Sequence, residues 1–321
     1  MVTDVKKNLV VGVDIGGTGT KIGLVDARGE ILARDEGIAT AAYATFDSYI
    51  KAVSTVIKRI IFASGYDGYV RGIGVGAPDS NYYTGDIEHA FNLPWKGVLP
   101  LAKMLSKECG IPVRVTNDAN AAAIGEMTYG TAKGMKNFIV ITLGTGVGSG
   151  IVINGQLVYG SDGFAGELGH VTMVRGEGAR LCGCGRRGCL EAYCSATGVA
   201  RTANEILSKI NEPSLLREIK DITSRDVFEA ARRGDKVAIE IFERTGTMLG
   251  EALADFIAFS SPEAIILFGG LTRAGDILLE PVRRAVERNV LHTFKGKTKI
   301  LLSHLNDSDA AILGASALAW E

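Results

Sequence analysis

Apolar residues along the chain alternate between short unbroken runs and longer stretches with helical spacing. Leu9 to Asp14 is a run of strand length, Ile15-Gly16-Gly17-Thr18-Gly19-Thr20 is a glycine-rich turn, and Lys21 to Asp26 is a second strand. Ala27 to Glu30 turns the chain into a third strand. From Phe46 to Ser64, Ile50, Val53, Ile57, Ile60 and Ile61 recur on one helical face, and Gly65 ends the helix. Val70 to Gly76 reads as a strand, Leu99 to Cys109 as a helix closed by Gly110, and Val113 to Thr116 as a strand. That strand runs into Asn117-Asp118-Ala119-Asn120, and the alanine-rich stretch from Ala119 to Tyr129 predicts a helix.

The pattern then restarts. Phe138 to Leu143 is an apolar strand, Gly144-Thr145-Gly146-Val147-Gly148 a second glycine turn, and Ser149 to Asn154 a returning strand. Val11 to Thr18 and Ile139 to Gly146 are the same device twice, and a duplication is the economical explanation; two hairpins of separate origin are the alternative. Helices follow at Ser195 to Ile210 and Ser224 to Arg233. A long one from Asp235 to Ser260 carries Val237, Ile241, Met248, Leu249, Ala252, Leu253, Phe256 and Ile257 on one face. Pro262 prevents its continuation. Ala264 to Phe268 is a strand ending in Gly269-Gly270, Asp276 to Asn289 a helix, Ile300 to Ser303 a strand, and Ala310 to Trp320 an apolar final helix. The expectation is an α/β protein of two lobes with a cleft between them. Residues 1–117 and about 306–321 would form the N-terminal lobe, and residues 118–305 the C-terminal lobe.

Composition narrows the function classes. A chain of 321 residues with 46% hydrophobic content can build two cores, and a net charge of −1 offers no basic field for nucleic acid or an anionic membrane. The apolar run near the N-terminus is broken by Gly12 and Asp14, too short for a signal segment or a membrane span. Five cysteines, three of them clustered, suit a reducing compartment, so a cytoplasmic protein is expected.

The densest chemistry lies between His170 and Glu191. His170, Cys182, Cys184 and Cys189 form the thiolate and imidazole set that a tetrahedral zinc site selects, and four protein ligands make the site structural. The competing reading, small buried hydrophobes, fits poorly with three cysteines among three glycines and two arginines. Glu167, His170 and Glu191 bracket this cluster and could hydrogen-bond sugar hydroxyls, or the glutamates could be solvated loop charges. The two glycine hairpins are phosphate-binding candidates, since glycine lets backbone N–H groups close on an anion. Each leads into a strand rather than a helix, which excludes the P-loop and the dinucleotide fingerprint. Asp14, with Thr18 on the same turn, is placed to hold Mg²⁺. Asp118 stands between a strand and a helix, where Asn117 or Asp118 could be an N-cap and Asp118 could equally accept a hydroxyl proton during phosphoryl transfer.

Asp14-Ile-Gly-Gly-Thr18, Asn117-Asp-Ala-Asn120, Leu143-Gly-Thr-Gly-Val-Gly148, Glu167-Leu-Gly-His170 and Cys182-Gly-Cys-Gly-Arg-Arg-Gly-Cys-Leu-Glu191 together resemble the ROK family of repressors, open reading frames and sugar kinases. The resemblance runs from about residue 9 to the C-terminus and implies a duplicated actin/hexokinase-like (ribonuclease H-like) fold. It implies that Asp118 takes the proton from a sugar 6-hydroxyl, and that Gly76, Asn92, Asn117, Glu167, His170 and Glu191 contact the sugar. It implies that Asp14, Gly16, Gly17, Thr18, Lys21, Gly144, Thr145, Gly146, Gly148, Gly269 and Gly270 hold ATP with Mg²⁺, and that the His/Cys quartet holds zinc. Members often carry lysine immediately after the first turn's threonine, whereas Gly19 and Thr20 intervene before Lys21 here. The expected activity is ATP-dependent phosphorylation of glucose in a cytoplasmic homodimer. N-acetylglucosamine or N-acetylmannosamine is the alternative substrate. A sugar-responsive ROK regulator is the other class, disfavoured because only eight residues precede Leu9.

Overall fold

The computed structural model describes residues 8–66, 68–90, 92–305 and 307–320. The chain divides into two compact units: Met1–Met135 with Gln156–Gly166 and His304–Glu321, and Lys136–Gly155 with Glu167–Ser303.

In the first unit, strands β1 (Leu9–Ile15), β2 (Gly19–Asp26), β3 (Ile31–Ala39), β4 (Val70–Gly76) and β7 (Val113–Thr116) form one sheet of order β3-β2-β1-β4-β7. A small hairpin of β5 (Ile87–Glu88) and β6 (Val98–Leu99) stands apart from it. β1 pairs antiparallel with β2 and parallel with β4, and β4 parallel with β7. Side chains alternate across β1. Leu9, Val11, Val13 and Ile15 join a core with α1 (Phe46–Ala63) and α2 (Leu101–Cys109). Val10 faces the other way, into a cluster with Ile312 and Leu313 of α9 (Asp307–Leu318).

That second face is built on missing side chains. A Cβ on Gly12 would lie 2.1 Å from the Ile312 carbonyl oxygen, and one on Gly74 would lie 1.9 Å from that of Ala315. The bare backbone lets α9 lie directly on β1 and β4. α3 (Asp118–Thr128) packs beside α9, where a Cβ on Gly125 would reach 2.8 Å from the Gly314 Cα. The last helix therefore packs within the first unit.

The expected boundary after Asn117 is corrected by this packing. α3 stays with the first unit, which continues to Met135, and Gln156–Gly166, including β10 (Gln156–Leu157), returns to it. In that segment the Tyr159 ring stacks on Tyr82 at 3.8 Å, and Asn81 Nδ2 donates to the Asp162 carbonyl at 2.8 Å.

The second unit repeats the topology. β8 (Phe138–Leu143), β9 (Val147–Ile153), β11 (Ala264–Phe268) and β12 (Lys299–Leu302) lie in the order β9-β8-β11-β12, matching β2-β1-β4-β7 in order and in pairing sense. The duplication read from two glycine turns thus extends to two sheets. Helices α4 (Glu191–Cys194), α5 (Ala196–Leu207), α6 (Ser224–Arg232), α7 (Lys236–Ser260) and α8 (Asp276–Asn289) complete the unit. Val237, Ile241, Leu249, Leu253 and Phe256 of α7 are buried.

Several element boundaries differ from expectation. The helix expected from Leu99 begins at Leu101, because Pro100 constrains the residue before it and Leu99 is in β6. The helix expected over Ser195 to Ile210 is α5, Ala196–Leu207; the Ser195 hydroxyl is its N-cap, accepting from the Gly198 N–H at 3.0 Å, and the one-turn helix α4 precedes it. The strand after the second turn starts at Val147, and the final helix starts at Asp307.

Candidate functional site

In the first unit the expected residues gather at the carboxyl ends of the central strands. Asp14 of β1 is in register with Gly76 of β4, and Gly76 with Thr116 of β7, the residue before Asn117. Asn117 is the helix cap: its Oδ1 accepts from the Asn120 N–H at 2.7 Å. This commits one oxygen of Asn117, leaves its Nδ2 for a ligand, and relieves Asp118 of capping. Asp118 Oδ1 accepts from the Ala119 N–H at 2.8 Å, and the carboxyl has no side-chain partner among the described residues. Its surface is accessible although protein crowds it on most sides, and that crowding raises the carboxyl above the ordinary carboxylate range.

Asp14 lies within electrostatic reach of Asp118. Burial, then the Asp118 charge, push its pKa up to about 6, and Lys21 opposes them. Lys21 is the direct cross-strand partner of Asp14, so the two side chains stand on one face of the sheet. The intervening Gly19 and Thr20 thus deliver Lys21 to the acidic pair. The turn itself closes through a bond from the Gly16 N–H to the Gly19 carbonyl (2.9 Å), with Thr18 exposed at its tip. The Asn92 loop rests on this turn, since a Cβ on Gly17 would lie 2.7 Å from the Asn92 carbonyl oxygen. Gly76 has α3 over it, with the Ala121 Cβ 3.2 Å from where its own would be.

A carboxyl titrating near 6 has a stability consequence. The folded state binds this proton more tightly than the unfolded chain, whose aspartate keeps a value near 3.8. The contribution is complete below about pH 3.8 and is lost as pH rises through about 6. Asp14→Asn should therefore stabilise the ligand-free protein at pH 7.5, by roughly 1–2 kcal/mol after allowance for partial exposure. Denaturant unfolding of both proteins at pH 4.5 and 7.5 checks this; a variant less stable than the parent at pH 7.5 contradicts it.

In the second unit, Gly144, Thr145 and Gly270 line a cavity of about 440 Å³. α5 is pinned to the turn by bonds from the Ala196 N–H to the Gly144 carbonyl (2.8 Å) and from the Thr197 hydroxyl to the Thr145 carbonyl (2.8 Å). Gly269 packs on the end of β8, where a Cβ would meet the Leu143 carbonyl oxygen at 2.7 Å. Phe228 and Leu271 give the cavity apolar walls, and Ser224, Arg225, Glu229 and Arg273 give it polar ones. Such a mixture suits a flat heteroaromatic ring carrying a charged tail. Gly146 and Gly148 do not line it. Gly146 is covered by Glu191, and the Gly148 N–H is spent on the Thr142 hydroxyl at 3.1 Å.

The His/Cys quartet converges. The ligand atoms of His170, Cys182, Cys184 and Cys189 all lie within 4.8 Å of one another. Cys182 Sγ is 3.7 Å from His170 Nδ1, and Cys184 Sγ is 3.7 Å from Cys189 Sγ. A tetrahedral zinc ion with Zn–S bonds of about 2.3 Å spaces its ligands about 3.8 Å apart, so the set fits the ion. His170 Nε2 points the other way, 3.9 Å from Glu167 Oε2. The loop folds through bonds from the Cys182 N–H to the Arg186 carbonyl (2.8 Å) and from the Met173 N–H to the Gly188 carbonyl (2.8 Å). Gly188 is required there: its φ is +80°, and a Cβ would lie 1.8 Å from the Val174 carbonyl oxygen.

Glu191 joins this loop to the second glycine turn. Its Oε2 accepts from the Val147 N–H at 2.9 Å, and its Oε1 lies 3.4 Å from Cys182 Sγ. Of the expected sugar contacts in this unit, Glu167, His170 and Glu191 thus surround one cluster. Among the described residues, no helix is long and apolar enough to cross a membrane.

A profile described as the ROK family matches residues 10–321. The chain belongs to the ROK family. Among ROK relatives, it is 38% identical to a glucokinase of Halalkalibacterium halodurans over 96% of this chain and 94% of that one. The solved structure of a ROK glucokinase from Streptomyces griseus, in complex with glucose and AMPPNP, is 34% identical with a TM-score of 0.78, covering 97% of this chain and 99% of that one. A ROK transcriptional regulator, a homologue of the E. coli MLC protein, superposes with a TM-score of 0.86 at 26% identity, covering 97% of this chain and 77% of that one. The bilobal α/β architecture seen here is that of the ROK kinases.

Ser224, Arg225, Phe228 and Arg273 were not legible as site residues. They sit on an amphipathic helix and a short turn with no distinguishing motif, and only the fold brings them to Gly144 and Gly270.

Proposed function

We propose that this ROK protein is an ATP-dependent hexose kinase that phosphorylates the 6-hydroxyl of glucose. The observation that carries the reading is Asp118, whose accessible carboxyl follows the end of β7 and lies within electrostatic reach of Asp14 on β1. In this reading Asp118 accepts the hydroxyl proton as the sugar oxygen attacks the γ-phosphorus, and the bond to ADP breaks. Asn92, the Asn117 amide group, Glu167, His170 and Glu191 would hydrogen-bond the sugar, as the family resemblance implies. The cavity at Gly144 and Gly270 takes the nucleotide. Asp14 would hold Mg²⁺, which spreads the charge of the phosphates; a carboxylate whose proton affinity a second carboxylate raises is a setting such a cation relieves.

His170, Cys182, Cys184 and Cys189 would hold one zinc ion whose work is to keep the loop between Val171 and Leu190 in shape. The ligand spacing supports this. A cytoplasmic homodimer without nucleic-acid partners is proposed from composition and family resemblance.

The test is ADP release with MgATP across glucose, N-acetylglucosamine, N-acetylmannosamine, mannose and fructose. Glucose should give the highest kcat/KM. A preference for an N-acetylhexosamine would move the assignment to the alternative substrate. Turnover with none of the five would favour the regulator reading, to which the likeness to the solved ROK regulator belongs.

A further inference from the structure

Arg180 is buried, at 7% exposure, and among the described residues no other lysine or arginine is. A buried cation is costly unless every donor is paired. Here they are. Nε and Nη2 both reach the Glu205 carboxylate, with the Nη2 contact at 2.7 Å, and Nη2 also donates to the Thr202 hydroxyl at 2.9 Å. Nη1 donates to the carbonyls of Ala192 (3.0 Å) and Gly198 (3.2 Å). The guanidinium lies 4.5 Å over the Tyr193 ring, and the Arg180 N–H donates to the Tyr193 hydroxyl at 2.9 Å.

Arg180 and these partners together lie on three different pieces of the second unit. Arg180 enters the cysteine loop two residues before Cys182. Ala192 and Tyr193 follow Glu191 on α4, and Gly198, Thr202 and Glu205 are on α5. The first residues of α5 are in turn bonded to Gly144 and Thr145. One guanidinium thus ties the mouth of the metal loop to the helix that carries Glu191, and that helix to the element fixed on the second glycine turn.

We propose that Arg180 is a positioning residue that holds Glu191 against the Gly146-Val147 turn independently of the metal ion. This rests on the proposed sugar-kinase reading for its functional consequence, not for its geometry. A lysine keeps the charge toward Glu205 but cannot also reach two carbonyls and a hydroxyl in a planar fork.

Arg180→Lys and Glu205→Gln are made in the full chain, the second because Glu205 is exposed on its helix and the variant should fold. Zinc per chain, hydrogen exchange of residues 144–149 and 191–197, and kcat and KM for glucose are then measured. Expected for Arg180→Lys are unchanged zinc, faster exchange at the Val147 and Ala196 amides, and a glucose KM raised about tenfold with kcat within about twofold. Glu205→Gln should move the same quantities less. Lost zinc, or exchange and KM both at parent values in Arg180→Lys, would overturn the proposal, since a purely structural arginine would lower stability without moving KM in the folded fraction. If the parent phosphorylates no sugar while exchange still rises in the variant, the kinase reading fails and the clamp stands.

Discussion

Asp118→Asn should lower kcat for sugar phosphorylation by about 10²–10⁴-fold while leaving glucose affinity within a few-fold of the parent. Asparagine keeps the size of the side chain, and its Oδ1 can still accept from the Ala119 N–H, so α3 and its Asn117 cap should survive. What is lost is the acceptor at Oδ2. Isothermal titration with glucose and steady-state ADP release separate the two effects. Turnover near the parent rate would remove Asp118 from the role of base. The pH profile offers a second check with a definite sign. The base acts only when deprotonated, and crowding raises its proton affinity, so the acid limb of the rate should lie above the ordinary carboxylate range near 3.8. It should vanish from whatever activity the variant retains.

The second large effect concerns the metal. Cys189 is fully buried and is the ligand whose loss the loop can least accommodate. Cys189→Ser should take zinc from one per chain toward zero and leave residues between Val171 and Leu190 open to proteolysis. Glucose KM should rise by roughly tenfold or more, because Cys182 packs against the Glu191 carboxylate. Structural zinc supplies much of the folding free energy of small isolated metal domains. Here the loop is also braced by Arg180, so a local loss of order is expected and not global unfolding. Metal analysis of the purified parent with no zinc, together with an intact protease-resistant loop, would refute the assignment.

The strands were the most legible part of the fold. Val70–Gly76, Phe138–Leu143 and Ala264–Phe268 end where the sequence pattern ends them, because each is a short, largely buried run in a sheet. The His/Cys cluster was legible for another reason. Its side chains are chemically rare and close in sequence, so local spacing nearly determines their convergence. The glycines of β1 and β4 look like ordinary strand residues until α9 is seen lying on them from some 240–300 positions away. The return of Gln156–Gly166 to the first unit was equally invisible, since what holds it is a tyrosine stack and hydrogen bonds from Asn81 and Tyr83, across nonlocal residues. Arg180 read as one more loop arginine. Its burial depends on five partners spread over two helices, and no local pattern announces that.

The place of α9 bears on how the protein is made. Every residue of the second unit is translated before His304 emerges, so the first unit lacks the helix that covers Val10, Gly12 and Gly74 until the second unit has been made. On the ribosome the first unit is therefore completed after the second. Until α9 arrives, that sheet face should be open to chaperones or to misassociation.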